Sequence, residues 1–492
     1  MNLDFTQVFA NQFVITPNAA LDVPGFDRMM LGDWAVFVGP DLPHLRLSDR
    51  RGHAQAVLLG LASDGGDTLI AQDYLADLDR GDPGYDSAVR DRAEALVGRW
   101  LLLALPGGHA PDLPARLYCD AGCTLSAVYD PTTRTVASTL NMALGRAPIP
   151  NPVIPPDRVQ AGEAVYTLSQ TPDAHVRLIR TNHYLDMTRF EPVRHWPRSP
   201  LPACPDPQEV PNTIAQDMRR SLSNLVLAVG ARRNLVLGLS GGRDSRLMAA
   251  ALGPVLGRIR MVYGHATNFM TRVDVMLGQR IAETLKVPYR VLDTDDPDHV
   301  APRPFAIRQA RRAFAIATGG FGTILTEDVL GLTRHLPPGA VLLRGGLLDI
   351  SRAVWWRGWP KRRTQLGTGE AEQMLNLVSG HAQMLNTADS PLRTQYRAWR
   401  KTLPPDRLKL IHDYIFLEFF YPASWQRYYG TQGGFCLCMG CDRALIDAFL
   451  SVPVETRFSA ELQQDLVRAL SPELADIPTH FELRQHLRDM RS

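Results

Sequence analysis

Lysine is nearly missing from this chain of 492 residues: it stands only at positions 286, 361, 401 and 409, so almost all of the 53 basic side chains are arginine. Net charge is also nearly missing. Lys+Arg at 53 against Asp+Glu at 51 leaves a formal +2, so no global field favours nucleic acid or acidic lipid as a partner. Six cysteines in so long a chain do not form a secreted disulfide framework and fit a reducing cytoplasm instead. No apolar run reaches transmembrane length, and the opening M-N-L-D-F-T-Q lacks a signal-peptide pattern. The expectation is a cytoplasmic protein with neither membrane nor nucleic-acid partners. A hydrophobic share of 45% with 21% charged residues fits an ordinary globular protein, and the length allows two domains with proper cores.

Residues 1–195 read mainly as strands with a few helices. Trp34–Val38 and Trp100–Leu105 are strand-like, Ala88–Val97 is an amphipathic helix, and Arg116–Cys119 with Thr124–Leu140 suggest a hairpin pair turning at Asp130-Pro131-Thr132-Thr133. The proline-rich stretch Pro192–Pro207 reads as a linker. Beyond it strands alternate with helices, which predicts a parallel sheet with crossover helices. Helices are expected over Pro211–Val229, Thr271–Leu285 and Phe305–Ala317. Strands are expected over Leu235–Leu239, Arg258–Tyr263, Tyr289–Asp293 and Ala340–Arg344, and helix from about Arg352 onward. No internal repeat is present.

The segment Leu235–Leu252, L-V-L-G-L-S-G-G-R-D-S-R-L-M-A-A-A-L, carries the most chemistry. An apolar strand runs into the loop Ser240-Gly241-Gly242-Arg243-Asp244-Ser245, and a helix follows from about Arg246. A strand, a glycine turn and a helix N-terminus aim unpaired N–H groups and the helix dipole at one spot, which makes an anion site. The glycines allow close backbone approach, Ser240 and Ser245 add hydroxyls, and Asp244 can hold magnesium on the phosphates. The loop is too short for a Walker A motif and no lysine follows it.

This S-G-G-x-D-S pattern resembles the pyrophosphate loop of the PP-loop ATP pyrophosphatases, within them the asparagine synthetase-like branch that includes β-lactam synthetases and lasso-peptide cyclases. The likeness extends to Asp274–Leu285, to Leu342–Ile350, which is similar to the branch's second magnesium loop G-[DE]-G-[AS]-D-E, and to Cys441–Pro453. In the first half, Gly98–Leu103 and Ala115–Cys123 are similar to its glutaminase-type domain. The resemblance implies an α/β protein: an N-terminal glutaminase-like αββα sandwich (1–195) and a C-terminal PP-loop parallel-sheet domain (196–492) with a helical extension. It implies ATP and Mg2+ as cofactors, with ATP on Leu239, Ser240, Gly241, Gly242, Arg243, Asp244, Ser245, Gly264 and Gly345. Magnesium falls on Asp244 and Asp349.

Three departures stand out. The family's nucleophilic cysteine after the initiator methionine is Asn2 here, so the resemblance implies no ammonia from glutamine and a domain kept for structure. Ile350 replaces the glutamate that follows the metal aspartate, and isoleucine carries no proton. The family's late lysine is absent; Gln464 occupies the matching slot and Arg468, one turn on, is expected to supply the charge, which makes Asp244, Asp349 and Arg468 the catalytic candidates.

Several residues admit a plainer reading. Asp244 is either a metal ligand or an ordinary helix N-cap. Arg246 either grips a phosphate or carboxylate or lies on the surface, and His265 reads as a hydrogen-bonded loop residue. Cys436-x-Cys438-x-x-Cys441 offers three ligands of an incomplete metal site or, preferably, three small buried residues. Arg352–Arg363 mixes tryptophan with positive charge and is either a grip for a peptide or partner protein or a core anchor with a solvated basic end. The expected function is an AMP-forming amide ligase: a carboxylate is adenylated and an amine, on the same or a second small molecule or precursor peptide, displaces AMP. The alternatives are a sulfur-transfer enzyme or a non-catalytic nucleotide-binding scaffold.

Overall fold

The computed structural model describes residues 4–108, 113–206, 208–293, 304–321, 335–357, 371, 375–376, 379, 390–431, 434–480 and 482–483. Asn2 and the basic end of the Arg352–Arg363 segment lie outside the described residues.

The first half contributes twelve strands: β1 (Phe13–Thr16), β2 (Asp27–Leu31), β3 (Trp34–Val38), β4 (His44–Ser48), β5 (Ala54–Ser63), β6 (Val97–Ala104), β7 (Arg116–Cys119), β8 (Val128–Asp130), β9 (Thr135–Ala137), β10 (Arg177–Leu178), β11 (His183–Asp186) and β12 (Glu191–Arg194). They form two six-stranded sheets, ordered β10-β8-β9-β1-β3-β2 and β12-β11-β7-β6-β5-β4, with antiparallel pairing. The two-residue period of a strand divides the second sheet's side chains between two cores. Val57, Leu59, Leu101 and Leu103 join the large core that includes the first sheet. Leu58, Trp100, Leu102 and Tyr118 join a smaller core under the helix Tyr85–Ala95.

The turn at Asp130–Thr133 joins β8 to β9 as the sequence suggests, but Arg116–Cys119 belongs to the other sheet. The linker is shorter than expected, because Glu191–Arg194 pairs with His183–Asp186 as a strand and only the following residues lack regular structure.

The second half builds a five-stranded parallel sheet from β13 (Leu235–Gly238), β14 (Met261–Ala266), β15 (Arg290–Asp293), β16 (Ala340–Arg344) and β17 (Gly434–Cys438), in the order β15-β14-β13-β16-β17. The helices Val210–Gly230, Phe269–Thr284 and Pro304–Thr318 lie within a residue or two of their expected places. The helix after the loop opens at Arg243, three residues earlier than expected, with Gly242 at its cap. It packs with Val210–Gly230 and Glu461–Leu470. The helical stretch expected after Arg352 is interrupted by β17. Cys436 and Cys438 sit two residues apart on this strand, in a run of four consecutive buried residues that shows no alternation.

Two arginines lock the loops. Arg246, open between ligand grip and surface residue in the sequence, does neither: it is buried, and its guanidinium donates to the carbonyls of Ile477 and Pro478, the latter at 2.8 Å. Arg457 is fully buried, binds both oxygens of Asp413 at 3.0 and 2.9 Å, and donates to the Ile350 carbonyl at 3.0 Å. It therefore fixes the turn that bears Asp349. Removing one partner of such a buried pair strands the other charge, so Arg457→Met is expected to destabilise the protein by about 3–5 kcal/mol. Urea unfolding checks this, and the double variant Arg457→Met/Asp413→Leu is expected to regain part of the loss.

Candidate functional site

In the parallel sheet, strand order runs outward in opposite directions from β13 and β16. Crevices in open parallel sheets form at such a reversal, beyond the carboxyl ends of the strands. The loop Ser240–Ser245 leaves β13 and the turn Leu348–Arg352 follows β16, so Asp244 and Asp349 meet across that crevice. Both line one cleft of about 580 Å3.

The loop is braced from within. The Ser240 and Ser245 hydroxyls lie 3.0 Å apart, and Ser245 Oγ donates to the Ser240 carbonyl at 3.0 Å. Gly241 serves helix packing: a Cβ there would stand 2.5 Å from Leu277 Cδ1, and its N–H donates to the Asp274 carbonyl at 3.0 Å. Gly242 caps the ten-residue helix without any side-chain cap, so the first-turn amides face the crevice end of the helix dipole. This decides one open reading: Asp244 lies inside the helix's first turn and is not its N-cap.

Asp244 is held on both oxygens. Arg352 NH2 donates to Oδ2 at 2.7 Å and Gln463 Nε2 donates to Oδ1 at 2.8 Å. Asp349 has an oxygen, Oδ1, that is buried and accepts no hydrogen bond. Burial first, and then the neighbouring Asp244 charge, push its carboxyl up to about 7. Leu347, just before the turn, adopts a left-handed φ of 66° and is fully buried, as is Ile350, whose side chain belongs to the core. An orphaned buried carboxylate oxygen facing a second carboxylate fits a divalent hard cation, so the donor set suits magnesium.

The remaining wall is cationic and aromatic. Arg243, Arg344, Arg352 and Arg427 line the cleft against the two aspartates, and Phe416, Phe420, Tyr421, Trp425 and Tyr428 come from one helical run. That run contains a π-helical turn, Phe416–Phe420. The Arg344 and Arg427 guanidinium groups stand 5.8 and 5.0 Å from the Tyr428 ring centre. At the opening of the Arg352–Arg363 segment Arg352 faces the cleft, while Trp355 is buried, as a core anchor would be, and its ring centre lies 4.8 Å from that of Phe420.

Ser240, Gly242, Arg243, Asp244, Ser245, Asp349 and Gly345 are therefore brought together. Leu239, Gly241 and Gly264 do not line this cleft. A Cβ at Gly264 would stand 2.0 Å from the Tyr289 hydroxyl, which donates to the Leu239 carbonyl at 2.8 Å, so Gly264 makes room for that tyrosine and Leu239 accepts from it. His265 lies within β14, opposite Leu292, and not in a loop. Arg468 pairs with Asp465 at 2.6 Å and lines a separate hollow of about 250 Å3 with Arg243 and Gln464. In the Glu461–Leu470 helix it is Gln463, and not Gln464, that reaches Asp244. Cys436, Cys438 and Cys441 are buried; Cys438 Sγ donates to the Gly346 carbonyl at 3.2 Å and Cys441 Sγ to Asp120 Oδ1 at 3.3 Å.

Comparison with known proteins finds no protein-family model that matches the chain and no significant match among curated proteins. No described helix is long and apolar enough to cross a membrane.

The raised Asp349 carboxyl has a pH signature. The folded protein keeps this proton between the ordinary value of 3.8 and about 7, and the unfolded chain loses it there, so Asp349 lowers stability as pH rises through that window. In chelator, Asp349→Asn is expected to raise the unfolding temperature at pH 8 and to leave it nearly unchanged at pH 4, as differential scanning calorimetry reads.

Proposed function

We propose that this chain is an ATP-dependent, AMP-forming amide ligase that takes its nitrogen from an amine substrate and not from glutamine. The observation that carries the reading is the pair Asp244 and Asp349 at the strand-order reversal, beside a serine- and glycine-lined helix N-terminus and a surplus of arginine. On this reading residues 196–492 are a PP-loop domain, and residues 1–195 are a glutaminase-like αββα sandwich kept as a scaffold.

Asp244 and Asp349 are the residues that would hold magnesium, which when bound neutralises phosphate charge. The first-turn amides, Ser240 and Ser245 bind the leaving pyrophosphate, and Arg243 offsets its charge. A substrate carboxylate attacks the α-phosphate, pyrophosphate departs, and an amine displaces AMP from the acyl adenylate. The aromatic wall excludes water from that intermediate, which hydrolysis would waste. Asp349 ionises fully once a cation faces it, so the loaded site loses the proton that the free site keeps at low pH.

Sulfur transfer is disfavoured by the burial of five of the six cysteines: only Cys204 is exposed, and a sulfur-relay thiol must be reachable. Calorimetric titration with α,β-methylene ATP and magnesium tests the proposal. Micromolar affinity is expected for the wild type, with a loss of at least about tenfold in Asp244→Ala. In turnover with a carboxylate and an amine, AMP is the expected product. ADP formation contradicts the reading, and good affinity without turnover across many substrates favours a scaffold.

A further inference from the structure

We infer that Arg344 and Arg427, grouped about the Tyr428 ring, form an oxyanion subsite of the cleft, separate from the Ser240–Ser245 loop, that takes a carboxylate or phosphate group of a bound molecule. The inference deepens the nucleotide reading of this cleft and rests on it for the source of the oxyanion, not for the subsite itself. Three observations carry it.

The first is placement. Arg344 is the last residue of β16, so it stands at the carboxyl end of a central strand, where the crevice opens. Its main chain is held there: it lies in register with Cys438 of β17, and its carbonyl accepts from the Met439 N–H at 2.9 Å. Arg427 and Tyr428 come from the short helix Gln426–Gly430. All three line the same cleft as Asp244 and Asp349. The loop leaves β13, whereas these groups come from β16 and the run before β17, so they are a different part of the wall.

The second is a missing counter-charge. Other arginines around the cleft are committed: Arg352 to Asp244, Arg457 to Asp413, and Arg246 to main-chain carbonyls. Arg344 and Arg427 form no ion pair with any described residue. The groups nearest the half-buried Arg344 guanidinium are the Cys436 thiol and the Tyr263 and Tyr428 phenols, with no carboxylate among them. Its Nε is buried and meets no acceptor at hydrogen-bond distance. A guanidinium keeps its charge, so such a cation costs free energy until an anion meets it. The Tyr428 ring does not fill that place, because 5.8 Å is close to the limit of about 6 Å for a cation–π contact.

The third is donor geometry. A guanidinium offers five N–H donors in a planar fork that matches the oxygens of carboxylates and phosphates. Arg427 spends one on the Tyr428 hydroxyl, at 3.2 Å, and is otherwise exposed at the rim. Beside the pair, the Trp425 ring centre lies 4.4 Å from that of Tyr428, which gives an apolar surface for the body that carries the anion. The same pair repels a cationic group, so a substrate end that bears a lysine-like charge is turned away.

Selenate, an oxyanion located by its own anomalous scattering, is the probe. Crystals of the full chain are soaked in selenate alone and in selenate with α,β-methylene ATP and magnesium. A selenium peak at hydrogen-bond distance from Arg344 is expected in the wild type and is expected to be lost in Arg344→Met. The unfolding temperature of that variant is expected not to fall, since no ion pair is broken. The nucleotide arm assigns the source: a peak that stays beside bound nucleotide leaves the subsite to an anionic group of the second substrate, and a nucleotide phosphate in its place assigns it to the nucleotide. Either supports the subsite. No oxyanion at Arg344 in any wild-type crystal overturns it, as does a peak that survives Arg344→Met, which marks an adventitious ion only. If Arg344→Met does not fold, Arg427→Met decides at an exposed position: loss of the peak supports the pair, and persistence overturns it. A peak in crystals that take up no nucleotide overturns the nucleotide reading and leaves the subsite standing.

Discussion

Two carboxylates at the ends of neighbouring parallel strands cannot both stay ionised in a half-buried crevice unless a cation stands between them. Two like charges about 4 Å apart repel by about 4 kcal/mol at an effective dielectric constant of about 20. The protein meets this constraint in two ways. Arg352 neutralises Asp244, and Asp349 keeps a proton that an ordinary aspartate would lose. Neither device improves packing, and the strand order that brings the two groups together is what makes them necessary. On the function proposed above, a divalent ion between the two carboxylates would relieve that repulsion.

The rest of the molecule holds that crevice rigid. Arg457 and Asp413 pin the Asp349 turn from below, and Arg246 ties the loop helix to the segment at Ile477 and Pro478. The first half braces the second through buried polar contacts. Arg99 on β6 donates to the Cys436 carbonyl at 3.0 Å and lies 4.7 Å from the Phe435 ring centre. Buried Glu418 accepts from Arg194 at 2.7 and 2.8 Å and from Asn182 at 3.1 Å. One continuous apolar core runs through both antiparallel and parallel sheets. The sheets of the first half therefore have a structural reason to persist that is independent of any glutaminase chemistry. Removing them would expose the buried Glu418 and take away its Arg194 and Asn182 partners.

The local patterns were readable without coordinates. The apolar run Leu235–Leu239 and the glycines just after it marked the strand and the Ser240–Ser245 loop, and the helix Val210–Gly230 could be placed to within one residue. What could not be read lies in contacts between distant segments. Gln463 meets Asp244 across 219 positions, and Arg246 meets Ile477 across 231. Neither the choice of Gln463 over Gln464 nor the burial of Arg246 follows from any local period. β17 was hidden within a stretch expected to be helical, although Gly434–Cys438 is a short apolar run of strand length. Gly241 and Gly264 drew attention as ATP contacts, but a glycine needed for helix packing or for a tyrosine looks the same in sequence. The pairing of Arg352 with Asp244 was missed for a related reason. The Trp355-Trp356 pair beside it suggested a partner surface, and nothing in the spacing says that a guanidinium would cross the crevice.

The central claim is that Asp244 and Asp349 share a metal ion that sits on phosphates held by the Ser240–Ser245 loop. A crystal of the protein grown with manganese and α,β-methylene ATP tests this most directly, because manganese is located by its own anomalous scattering. The account predicts a single strong peak between the two carboxylates, with the outer phosphates against the first-turn amides. A peak elsewhere, or a nucleotide bound without metal and away from the loop, would contradict it.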